Sequence, residues 1–118
     1  IQNENLLQMH TFPCENGDEF PKNQYTKWFD YDKIKGTLSL RHRQPGDYLT
    51  LPSGGRKTLK SWMIDEKIPR QEREEIWLLA EEKHILWIVG HRISAYYKIT
   101  EQTKTILEVE FNGGKSSG

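Results

Sequence analysis

The sequence predicts a small α+β domain, a mixed or antiparallel sheet carrying two short helices. Three observations lead there. Two segments, residues 37–43 and 105–111, alternate apolar and polar side chains with the period of a half-buried strand. Two short apolar runs, 76–80 (IWLLA) and 84–89 (HILWIV), are separated by Glu81-Glu82-Lys83 and read as a hairpin. Leu59, Trp62 and Met63 stand at helical spacing just before Pro69.

In chain order, Leu6, Leu7, Met9 and Phe12 suggest a first strand, while Asn16-Gly17-Asp18 and Pro21-Lys22-Asn23 suggest turns. Residues 28–31 (WFDY) form a short strand ended by Asp32. In the next strand Leu38, Leu40 and His42 face inward, which places Arg41 and Arg43 together on the solvent face. His42 is therefore expected to be a hydrogen-bonded interior histidine. Gln44-Pro45-Gly46-Asp47 has Pro and Gly at the central positions of a type II turn. A strand over Tyr48 to Leu51 ends at Pro52, and Ser53-Gly54-Gly55 is expected to be a simple connector, with phosphate binding by its backbone N–H groups as the alternative.

The first helix is expected from Thr58 to about Lys67, with Lys57, Lys60 and Ser61 repeating along a polar face. Pro69 stops it and opens a second short helix, on which Arg70 and Arg73 share a side. Residues 91–98 are irregular or an edge segment rich in Tyr. In the last strand Leu107, Val109 and Phe111 alternate with Ile106, Glu108 and Glu110. Residues 1–28 are expected to be a linker or N-terminal strand region and 29–112 the folded domain. The tail 113–118 (GGKSSG) has the composition of a disordered linker. A chain starting at Ile1 rather than Met is expected to be part of something longer.

The 118 residues suffice for one core, enriched by four Trp, five Tyr and four Phe. Net charge is zero, which argues against a general polyanion binder, but the charge is unevenly placed. Residues 41–73 hold eight Lys/Arg against four Asp/Glu, a local +4, whereas each flank carries −2. A basic middle of this kind suits an anionic partner. Cys14 is the single cysteine, which excludes an internal disulfide and fits a reducing compartment. No apolar run approaches the roughly 20 residues of a membrane span.

Catalytic patterns are missing. The sequence has neither GxxxxGK[ST] nor HExxH. His10 and Cys14 are spaced for a shared metal on a helix, but Pro13 lies between them and two ligands are too few. No metal or cofactor site and no catalytic residue is therefore expected in this chain. The basic residues fall instead into three aligned pairs: Arg41 with Arg43, Lys57 with Lys60, and Arg70 with Arg73. Together they predict a continuous phosphate-binding face suited to an RNA stem. The aromatics do not interleave with these residues as a stacking platform would, and Trp62, Trp77 and Trp87 are expected in the core.

In order, residues 29–35 (FDYDKIK), 40–47 (LRHRQPGD), 54–60 (GGRKTLK), 62–70 (WMIDEKIPR), Arg73 and 84–92 (HILWIVGHR) resemble the C-terminal domain of tRNA(Ile)-lysidine synthetase. The resemblance covers about 29–111. Tyr48 and Thr50 depart from its more basic or aromatic positions. It implies a cytoplasmic bacterial enzyme that ligates lysine to the wobble cytidine of an isoleucine tRNA using ATP. The chemistry and the ATP site belong to a separate N-terminal domain with a Ser-Gly-Gly-x-Asp-Ser loop. Here Ser53-Gly54-Gly55 is followed by Arg56-Lys57 instead. The C-terminal domain of that family grips the tRNA body near the acceptor stem. The resemblance thus makes Arg41, Arg43, Lys57, Lys60, Arg70 and Arg73 the expected RNA contacts, joined by Arg56 and Arg92. The implied partners are tRNA and the rest of the parent enzyme. The competing expectation is a protein-interaction module that packs on its parent or forms a homodimer, with the basic residues paired to acidic partners such as Glu108 and Glu110.

Overall fold

The structure is a computed structural model, and it describes residues 6–15 and 20–112. The expected turn at Asn16-Gly17-Asp18 and the tail 113–118 lie outside the described residues. Among the described residues nine strands and two helices follow one another: β1 (Leu7–Pro13), β2 (Thr26–Asp30), β3 (Leu38–Arg41), β4 (Tyr48–Thr50), β5 (Arg56–Thr58), α1 (Leu59–Asp65), α2 (Arg70–Arg73), β6 (Leu78–Glu81), β7 (His84–Ile88), β8 (Arg92–Ile93) and β9 (Thr105–Phe111). The α+β class is as the sequence predicts, but the strands divide into two sheets.

The smaller sheet is antiparallel in the order β1-β9-β2. Its β1 comes from the segment before residue 29, so the described part of that segment is built into the domain. The larger sheet runs β3-β6-β7-β4-β5, with β8 added on β7. It is mixed, because β4 meets β7 in parallel at Tyr48 and His84.

Two cores lie on opposite faces of the larger sheet. Between the sheets pack Leu7, Phe29, Leu40, Leu79, Trp87, Leu107, Val109 and Phe111. On the other face α1 lays Leu59, Trp62 and Met63 against Leu49, Leu78, Ile85 and Ile88. Burial on both sides explains why β6 and β7 read as unbroken apolar runs. A bulge reconciles their side chains with two cores. Leu79 pairs with Trp87 and Ala80 with Ile85, leaving Leu86 as the extra residue. Leu86 and Trp87 can then both enter the inter-sheet core despite being neighbours.

Helix α1 is shorter than its sequence pattern. Thr58 is the N-cap, accepting from the Ser61 N–H at 3.1 Å, so the helix starts at Leu59. At the other end Lys67 takes a left-handed φ of 56°. Its N–H donates to Ile64 O, and the Ile68 N–H to Met63 O, both at 3.0 Å. This is a Schellman ending, with Ile68 packed in the same core as Met63. The chain has thus left the helix before Pro69, which instead caps α2 by accepting from Glu72 and Arg73 N–H.

Candidate nucleic-acid interface

The 44–47 turn is the centre of the basic region. Gly46 has φ 88°, and the Asp47 N–H donates to Gln44 O at 3.3 Å, as a type II turn requires. Asp47 is buried, and its carboxylate receives both terminal nitrogens of Arg41 at 2.9 Å and the Gln44 N–H at 2.8 Å. The same guanidinium donates to His42 O and Glu82 O. Asp47 O accepts from Leu59 N–H at 2.9 Å, which ties the turn to the start of α1. With side-chain exposures of 14% for Arg41 and 1% for Asp47, this fork-to-fork pair is an internal brace. Arg41 therefore does not stand beside Arg43 on an open face; β3 ends at Arg41 and the chain turns away.

Arg43 and Lys60 do converge. They line an open cleft of about 540 Å³, with Pro45, Gly46, Thr58 and Glu74. Arg43 is held by Glu74 at 2.7 Å, an ion pair whose acidic side is 63% exposed. Lys60 is exposed and makes no ion pair among the described residues. Lys57 does not share a helix face with Lys60. It lies in β5, opposite Leu49, and pairs with Asp65. Arg70 and Arg73 share α2 as expected; Arg70 is exposed, whereas Arg73 Nε donates to Ile68 O at 2.8 Å. Arg92 lies in β8, in a small cleft with Trp62, Glu66 and His91. The predicted pairs are thus redistributed rather than continuous.

Arg56 belongs to a second groove, which local sequence patterns did not reveal. The charged triplet Arg56–Thr58 forms a hairpin with β4, pairing Thr50 with Arg56 and Tyr48 with Thr58. Arg56 is then the diagonal neighbour of Tyr48 on one face, and its guanidinium lies 4.5 Å from the Tyr48 ring centroid. The parallel bridge to β7 stacks Tyr48 on His84 at 4.6 Å. A 3-10 turn at Ala95–Tyr97 adds Tyr96 and Tyr97 at 5.2 and 4.8 Å from His84. Lys33 lies 5.3 Å from the Tyr96 ring centroid. The expectation that aromatics and cations do not interleave is corrected here, because three adjacent strands bring them side by side. The Tyr-rich composition of 91–98 was the only sequence signal.

Two charges in this groove are set by their surroundings. Burial, with the Arg56 charge adding to it against the opposing pull of Glu81, lowers the His84 pKa and favours the neutral ring. Its Nε2 lies 3.0 Å from Thr50 Oγ1 and 3.3 Å from Ser94 Oγ. Glu81 is occupied by the Lys35 and Gly36 N–H groups and by the Tyr97 hydroxyl at 2.8 Å. Burial and that hydrogen bond raise the Tyr97 pKa, so its hydroxyl keeps its proton.

The other candidates are placed without a constellation. His42 Nδ1 donates to Ile76 O at 3.1 Å and the ring stacks on Trp77 at 4.0 Å, as an interior histidine should. His10 lies in strand β1, 3.4 Å from Glu108, and Cys14 follows the strand's end. The Gly54 N–H is spent on Leu51 O at 2.8 Å, which removes it from phosphate binding. Glu108 also accepts from Trp28 Nε1 at 2.8 Å, on the smaller sheet. No helix among the described residues is long and apolar enough to cross a membrane.

These features define a small two-sheet α+β domain with basic side chains distributed over open clefts. Comparison with known proteins gives its family. Residues 38–110 match the family described as the TilS substrate C-terminal domain. A tRNA(Ile)-lysidine synthase of Caldanaerobacter subterraneus subsp. tengcongensis is 46% identical over 95 residues, spanning 80% of this chain and 20% of that protein. The enzyme of that name from Clostridium tetani is 41% identical over 101 residues, or 85% and 22% of the two chains. A crystal structure described as the TilS C-terminal domain superposes with a TM-score of 0.63 at 27% identity, covering 91% of this chain and 85% of its own. The chain belongs to the family of tRNA(Ile)-lysidine synthase C-terminal domains. It spans about a fifth of the length of these two synthases.

Proposed function

We propose that this domain binds tRNA for a cytoplasmic bacterial synthase that joins lysine to the wobble cytidine of tRNA(Ile), with ATP and the chemistry held by a separate N-terminal domain. The family supports the parent activity. The observation that carries the binding role is the convergence of Arg43 and Lys60 from separate elements on one open cleft. Arg supplies a planar fork for phosphate oxygens and Lys a mobile point charge, so the pair suits the backbone of a stem such as the acceptor stem. Arg70 is a further exposed contact, as is Arg56, which rests on Tyr48, with Lys57, Arg73 and Arg92 contributing from half-buried positions. Arg41 supports the surface from behind and does not touch RNA.

Gel-shift titration of tRNA with the chain is the test. Binding should weaken as salt rises, because neutralising phosphates releases counterions. Arg43→Ala with Lys60→Ala should lower affinity and flatten the salt slope by about one for each phosphate no longer neutralised. The fold should survive, since ion pairs this exposed contribute about 0–1 kcal/mol. Titrations unchanged by the double substitution would remove this cleft from the interface.

A further inference from the structure

We propose that the groove between the 48–58 hairpin, β7 and the Ala95–Tyr97 turn holds one unpaired nucleotide of the bound RNA, its base against Tyr96 and its phosphate at Arg56 and Lys35. The proposal rests on the RNA-binding role above and adds a site to it. The groove measures about 620 Å³, within the roughly 300–1,000 Å³ of small-ligand sites. That is space enough for one nucleotide.

Its surface has two parts. The floor is a run of rings, Tyr48, His84, Tyr97 and Tyr96, in mutual contact. Tyr96 is 44% exposed, so part of its aromatic surface remains open at the mouth, with Lys33 Nζ 5.3 Å from the ring centroid. The rim carries Lys33, Lys35 and Arg56 against Glu81 and Glu82, three positive charges to two negative. The Glu81 carboxylate accepts from the Lys35 and Gly36 N–H groups and the Tyr97 hydroxyl, and forms no ion pair with the rim cations among the described residues. Arg56 is exposed, and its charge rests on Tyr48 rather than in an ion pair among the described residues. Lys35 gives one of its three protons to Asp32 O.

This combination selects an unpaired base. In a duplex the base faces are already covered, so stacking on a side chain requires a nucleotide at an end, loop or bulge. Stacking on an aromatic is tolerant of base identity, while the neighbouring cations hold the backbone. A phosphorylated peptide would use Arg56 and Lys35 but gain little from Tyr96.

The experiment titrates the 118-residue chain into a short single-stranded RNA with 2-aminopurine at its centre, and separately into tRNA. The expected result is saturable quenching of the fluorophore. Tyr96→Ala should weaken oligonucleotide affinity about tenfold, Tyr96→Phe should retain it, and Arg56→Gln should weaken it and reduce the salt slope. Binding of tRNA without binding of the oligonucleotide would overturn the groove and leave the tRNA role standing. Oligonucleotide binding that depends on Arg56 but ignores Tyr96 would also overturn it, since charge alone would then explain capture. Binding of neither RNA would overturn both.

Discussion

The two grooves make cations available in opposite ways. The turn cleft is built almost wholly from residues close in sequence, 43–47 and 58–60; its Arg43 meets a carboxylate, while Lys60 makes no ion pair among the described residues. Arg41 is locked behind it by Asp47, and Arg43 leans on Glu74. The aromatic groove draws on four distant segments, and two of its cations, Lys33 and Arg56, rest on rings while its Glu81 carboxylate accepts from backbone N–H groups. Asp47 lines the first groove and its neighbour Tyr48 the second. The difference teaches that a cluster of positive charge in sequence is not a cluster of free charge. What matters is which partner each cation finds on folding.

The largest expected effect separates brace from contact. Arg41→Ala leaves a buried Asp47 carboxylate without its ion partner and should cost about 3–5 kcal/mol in urea unfolding. An equally stable variant that merely bound RNA less well would erase the distinction between Arg41 and Arg43. Thr58→Ala removes the cap that starts α1 beside Lys60, and a drop of about 1 kcal/mol in stability is expected. Lys67→Gly lies at the far end of α1, outside both grooves. Relief of its left-handed backbone should raise stability by about 0.5–1 kcal/mol, measurable as a higher urea midpoint, with RNA affinity unaltered.

The smallest effect is a pH dependence confined to the aromatic groove. A lowered His84 pKa means that the unfolded chain takes up a proton first as pH falls below about 6.5. Stability should therefore decline on acidification from that point down to the folded-state pKa, and be fully present above it. Replacing His84 with Gln should flatten that part of the unfolding profile. A profile of unchanged slope would show that the ring titrates as freely as in the unfolded chain.

Much of the fold was legible because local pattern and tertiary role agree. The alternation of Leu38 and Leu40, the Pro45-Gly46 turn, the Leu59-Trp62-Met63 stripe and the hairpin around Glu82 all carry their structure in short windows. Strand β5 did not, since three residues of Arg, Lys and Thr next to a helical stripe give no periodic signal of their own. Lys57 was drawn into the helix face for that reason. The division into two sheets is likewise a matter of long-range pairing, with β1 and β2 both finding β9 late in the chain. In the site, Arg43, Lys60 and Arg70 were identifiable as basic residues of the surface, Lys60 and Arg70 exposed and Arg43 half-buried. The bracing of Arg41 depends on the turn folding Asp47 back onto it, and the stacking of Tyr48 on His84 depends on a single parallel bridge. Neither leaves a trace in residue spacing.

Mapping tRNA onto the isotopically labelled chain by NMR tests the central claim most directly. On binding, tRNA is expected to shift the backbone signals of Arg43 to Gly46 and Lys60 and those of His84 and Tyr96, while the Arg41 guanidinium signal persists unchanged. Shifts confined to the β1-β9-β2 sheet around Glu108 and Glu110, with both grooves silent, would contradict it.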